Sequence, residues 1–129
     1  MGEDSVRTFI AIELPEEVTR ALARTIIELR GRIATPDIRW VAAGSIHVTL
    51  KFLGDVPVAR IPEMSATLSD VCAATAPMRL HVAARGAFPS TRQPRVLWVG
   101  LGGDVEALTT LARTVDESLT RIGFASESR

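Results

Sequence analysis

An α+β fold, with mainly antiparallel sheets and helices on the outside, is predicted by three features of this 129-residue sequence. Three segments carry apolar residues at helical spacing, and the stretches between them have the length and residue types of strands. The strand-like stretches also come in adjacent pairs, which favours antiparallel pairing over the parallel sheet of a strictly alternating chain. Hydrophobic residues make up 47% and charged residues 23%, a globular composition. One domain over residues 1–129 is expected at this length.

The elements follow in order. Arg7 to Leu14 is rich in strand formers. Pro15, Glu16 and Glu17 mark a helix start, with proline at the first helical position and acids against the positive end of the dipole. Val18, Leu22, Ile26, Leu29 and Ile33 then form one apolar stripe, and Glu28 lies four residues from both Arg24 and Arg32. Gly31, Thr35-Pro36 and Asp37 close that segment. Ile38 to Val41 reads as a short strand, Ala43-Gly44-Ser45 as a turn, and Ile46 to Leu53 as a strand ended by Gly54-Asp55. Pro62 opens a second helix with Ile61, Met64, Leu68 and Val71 facing inward. Met78 to Ala84 and Arg95 to Leu101 are strands joined through Gly86, Pro89 and Pro94. Asp104 caps a third helix with the stripe Leu108, Leu111, Val115, Leu119 and Ile122, and Gly123 stops it. The predicted order is βαββαββα.

Several function classes are disfavoured at once. No apolar run approaches the roughly 20 residues that span a bilayer, so no membrane association is expected. The acidic start Met1 to Val6 lacks the basic and apolar regions of a signal peptide. A single cysteine, Cys72, fits a reducing cytoplasm. Zero net charge argues against a dedicated nucleic-acid coat. Arg79, Arg85, Arg92 and Arg95 occur with no acid between them, and read as a solvated face before a phosphate patch. Two histidines and one cysteine far apart give no metal-ligand spacing.

The octapeptide His47-Val48-Thr49-Leu50-Lys51-Phe52-Leu53-Gly54 carries the chemistry. Alternation along a strand puts His47, Thr49 and Lys51 on one face, which presents an imidazole, a hydroxyl and an ammonium in a row, and Val48, Leu50 and Phe52 on the other, apolar and fit to pack on a core. A His-x-Thr on an amphipathic strand is common, and its plain reading is a solvent-facing strand. The functional reading uses the fact that imidazole titrates near neutrality and so can carry protons in phosphodiester cleavage. A threonine hydroxyl two residues away can hold a phosphoryl oxygen in register with it. His81 alternates with Leu80 and Val82, has alanine two residues on, and reads as a structural or surface histidine. Gly100, Gly102 and Gly103 match neither a dinucleotide fingerprint nor a P-loop, and read as a turn before Asp104. Trp40 and Trp98 read as core aromatics.

Taken with its surroundings, the octapeptide resembles the two-histidine phosphoesterase superfamily, and within it the RNA 2′,3′-cyclic phosphodiesterases, or 2′–5′ RNA ligase family. Arg7-Thr8-Phe9-Ile10-Ala11 resembles the family's opening strand. Arg39-Trp40-Val41 followed by His47-Val48-Thr49-Leu50 and Phe52-Leu53-Gly54 resembles its first His-x-Thr-x motif and lead-in. Gly86-Ala87-Phe88-Pro89 and Pro94-Arg95-Val96-Leu97-Trp98 resemble its central block. The resemblance implies two α+β lobes around a cleft. It implies opening of RNA 2′,3′-cyclic phosphate ends to 2′-phosphates, with RNA such as tRNA halves as partner and no metal or nucleotide cofactor. His47 would be the proton donor to the leaving ribose oxygen, and Thr49 would bind the phosphate.

The family's second His-x-Thr-x motif follows a helix like that at 104–122, and nothing after Gly123 contains a histidine. A C-terminally shortened domain with an incomplete second lobe is therefore expected, weak or inactive as an enzyme alone. Loss of one member of an acid/base pair commonly costs about 10²–10⁴ in rate. Unpaired strand edges and uncovered apolar faces lead to the further expectation of a homodimer through an exposed sheet edge. A non-catalytic module that binds RNA ends or phosphate, and a strand-exchanging interaction protein, are the competing readings.

Overall fold

The computed structural model describes residues 4–33, 37–88, 90, 92 and 95–125. Its elements are β1 (Ser5–Glu13), α1 (Glu16–Arg32), a 3-10 turn (Ala43–Ser45), β2 (His47–Pro57), a second 3-10 turn (Val58–Arg60), α2 (Ile61–Ala73), β3 (Leu80–Phe88), β4 (Val96–Gly103) and α3 (Val105–Arg121). β1 pairs with β2, and β3 pairs with β4 in an antiparallel ladder. The mixed α/β character, antiparallel sheet and three helices agree with the predicted class. Thr35-Pro36, Pro89 and Pro94, expected to form connections, lie outside the described residues.

The chain divides into two compact units. The first comprises Met1–Ile12, Thr49–Arg79 and Asp104–Arg129. Its core is Val56, Met64, Val71, Leu111, Val115, Leu119 and Phe124, with Ile10, Leu50, Leu53 and Leu68 packed against it. The predicted stripes of α2 and α3 supply most of these contacts, as a 3.6-residue period requires of a helix with one buried face. Gly123 ends α3 at φ +101°, a conformation costly for any residue with a Cβ. Arg60 seals the same end: its Nη2 donates to the Ile122 carbonyl, and its guanidinium lies 4.2 Å from the Phe124 ring centroid.

The second unit comprises Glu13–Val48 and Leu80–Gly103. α1 starts after Pro15 with Glu16 and Glu17 in its first turn, and Leu22 on the predicted stripe is buried. An Arg32–Glu28 ion pair of 2.9 Å spans one turn near its end. An apolar cavity of about 570 Å³ is lined by Leu22, Ile26 and Leu29 of α1, by Trp40, and by Leu97 and Trp98 of β4.

Several boundaries differ from those predicted. Residues 38–41 form no strand: both sheets are two-stranded, so this stretch has no ladder to join, and Ile38, Trp40 and Val41 line the cavity instead. The observed order is therefore βαβαββα. β2 continues past Gly54, whose φ of +69° lets the strand turn without ending, and Val56 beyond it is only 1% exposed. β3 runs on through Gly86 because the Trp98 ring lies across it: a Cβ at Gly86 would come within 2.3 Å of that ring. Gly100, Gly102 and Gly103 belong to β4 rather than to a turn. Asp104 precedes α3 but makes no side-chain cap; its Oδ2 accepts from the Arg79 backbone N–H at 2.8 Å. Trp98 is 46% exposed and Trp40 half-buried, so neither is a core aromatic.

Candidate functional site

The turn at Ala43–Ser45 delivers the chain into β2, with backbone bonds from Ser45 N–H to the Ala42 carbonyl and from Ile46 N–H to the Ala43 carbonyl closing it. His47 is then the first residue of the strand and is half-buried. Thr49, two residues on, is exposed. Strand periodicity gives the two side chains the same face of β2, the arrangement expected for an imidazole and a hydroxyl meant to act on one group.

The same face then changes character. Lys51, expected beside His47 and Thr49 as an accessible ammonium, is only 3% exposed. Its Nζ donates to the Asp116 carboxylate of α3 and, at 3.0 Å, to the Ala125 carbonyl. Phe52, expected to pack on the core, is 55% exposed and sits against Phe9 with ring centroids 6.2 Å apart. The two-face reading thus holds at Thr49 and Leu50 and reverses at Lys51 and Phe52. The physical reason is that α3 covers the Lys51 side of β2, and a charge-paired lysine fills that position where an aliphatic residue would otherwise be needed.

Asp116 was not singled out from the sequence. Its signal is weak: it stands one position beyond Val115 on the apolar stripe of α3, where an acid gains nothing unless a cation faces it. His81 is exposed on β3 and lies over Gly102 of β4, where a Cβ would meet its Nε2 at 2.7 Å. That agrees with a surface histidine. Among the described residues no three His, Cys, Asp or Glu side chains group to hold a metal ion, and no helix is long and apolar enough to cross a membrane.

A family profile for LigT like phosphoesterases matches residues 12–98, a span that includes the octapeptide, Arg39-Trp40-Val41 and the Gly86–Trp98 block. The chain belongs to the LigT-like phosphoesterase family. An RNA 2′,3′-cyclic phosphodiesterase of Geobacillus stearothermophilus is 33% identical over 121 residues, covering 94% of this chain and 38% of that protein. One from Archaeoglobus fulgidus is 31% identical over 119 residues, covering 92% of this chain and 64% of that one. This LigT-like chain therefore spans well under two thirds of the length of the first and slightly under two thirds of the second.

Solved structures agree. TT0787 of Thermus thermophilus superposes with a TM-score of 0.75 at 28% identity, over 92% of this chain and 62% of that one. E. coli LigT complexed with 3′-AMP superposes with a TM-score of 0.72 at 28% identity, over 98% of this chain and 68% of that one.

Proposed function

We propose that this LigT-like chain acts on RNA ends bearing a 2′,3′-cyclic phosphate, tRNA halves among them, and opens the ring to leave a 2′-phosphate. Water adds to phosphorus, the bond from phosphorus to the 3′ oxygen breaks, and His47 supplies the proton that the departing oxygen takes up. Thr49 donates to a phosphoryl oxygen and holds the phosphorus opposite the imidazole. The reading rests on one observation above the others: His47 and Thr49 stand two apart on β2, half-buried and exposed, within the region that matches the family. Relatives that carry the name RNA 2′,3′-cyclic phosphodiesterase support it, as does binding of 3′-AMP by E. coli LigT.

One imidazole meets half of the proton traffic, because a base must also take a proton from the attacking water. These 129 residues hold a single His-x-Thr, which accounts for the proton-donating half of the reaction. Residues 1–129 are read as one domain that matches part of the length of its relatives, acting in the reducing cytoplasm that the exposed Cys72 suits. Self-association through the exposed edges of the β3–β4 hairpin belongs to the same reading.

Incubation with 2′,3′-cyclic AMP, followed by chromatography for 2′-AMP, tests the proposal against the His47→Ala variant. Turnover in the wild type that disappears in the variant supports catalysis. Binding of 2′-AMP without turnover leaves a recognition module for RNA ends, and absence of both overturns the assignment.

A further inference from the structure

Lys51 is the only lysine among fifteen cationic side chains, and among the described residues it is the one basic residue that is buried. It sits two positions from Thr49 on β2, on the face that strand alternation gives to both. Two of its three Nζ donors go to Asp116 and to the Ala125 carbonyl, and with 3% of its surface exposed it is turned away from any phosphate in solvent. Thr49, Lys51, Asp116 and Ala125 all fall within the first unit.

A buried ion pair is a weak source of stability, since an apolar pair of similar volume often serves as well. What it supplies is discrimination between arrangements. A slip of β2 by one residue against α3 would set Leu50 or Phe52 opposite Asp116 and carry the Lys51 ammonium away from both of its acceptors. The same slip would turn Thr49 to the opposite face, because side chains alternate with a period of two. We propose that Lys51 is a positioning residue: its bonds to Asp116 and Ala125 fix the register of β2 and so keep the Thr49 hydroxyl turned outward. This rests on Thr49 being the phosphate-binding residue of the proposed function, whereas the register of the strand can be measured without any ligand.

The test is the full chain carrying Lys51→Met with Asp116→Leu, which removes both charges and leaves apolar side chains of comparable length. Amide hydrogen exchange followed by NMR compares Val48 to Leu50 with core amides of α2 and α3. The expected result is core protection close to wild type, with Val48 to Leu50 exchanging about tenfold faster or more. The dissociation constant for 2′-AMP should rise about tenfold, with little change in melting temperature. Native exchange at Val48 to Leu50 in a folded double variant overturns the inference. If the double variant does not fold, Lys51→Met alone carries the comparison, since the Asp116 side chain is 34% exposed and water can solvate it. Unfolding of both variants also overturns it, leaving a purely structural pair. Failure of the wild type to bind 2′-AMP removes the phosphate reading, while the exchange data still decide the register.

Discussion

A threonine hydroxyl offers a phosphoryl oxygen one donor whose oxygen is placed by a single stiff torsion. At Thr49 that torsion is set on an exposed strand position, so its substitutions separate the hydroxyl from the methyl with little cost to the fold. Thr49→Val keeps the shape and removes the donor; a hydrogen bond to a charged group is worth roughly 1.5–3 kcal/mol, so 2′-AMP should bind at least about tenfold more weakly. Thr49→Ser keeps the donor and should stay within a few-fold of wild type, and both variants should melt where the wild type does. Calorimetric titration beside thermal melting checks this, and equal affinity for Thr49→Val would remove Thr49 from the site. The placement of His47 and Thr49 two apart on one strand was legible because strand alternation is local and needs no tertiary information. The fate of Lys51 was not: its partner Asp116 is 65 residues away, and only the packing of α3 brings them together.

At the scale of elements, helices were read closely because a stripe of apolar residues survives folding as a buried face. Leu111, Val115 and Leu119 of α3 are all buried, and Leu119 has no exposed surface. Leu119→Ala should therefore cost about 2–5 kcal/mol of unfolding free energy in urea titration. Ile27 on α1, off the predicted stripe and 73% exposed, should tolerate alanine within about 0.5 kcal/mol. Equal losses at the two positions would mean that α1 and α3 bury faces other than those described. Strand ends were less legible, because a strand exists only while a neighbour pairs with it. Gly54 reads as a stop and Gly86 as part of a connection, yet both strands run through them, one by a left-handed backbone and the other by accommodating the Trp98 ring. The segment at 38–41 has strand-forming residues and no partner, so the same rule removes it.

For the whole molecule, the division into two units leaves an imbalance in packing. The core cluster lies entirely in the first unit, whereas Leu22 alone is buried among the described residues of the second. That second unit instead has the 570 Å³ apolar cavity, and its hairpin exposes Val82, Phe88, Val96, Trp98 and Val99. Soluble monomers seldom leave so many neighbouring apolar side chains in water, and the two outer edges of a two-stranded ladder carry backbone groups able to pair with another strand. Self-association that grows with protein concentration is expected, measured by light scattering across a size-exclusion column. A lysine on an edge strand opposes edge-to-edge pairing, so Val96→Lys should shift the equilibrium toward monomer. Cys72→Ser, in α2 of the other unit, should not, which separates strand pairing from adventitious thiol cross-linking. A chain that stays monomeric at every concentration would mean that the hairpin edges and the cavity tolerate water, and the homodimer would be set aside while the proposed roles of His47 and Thr49 stood unchanged.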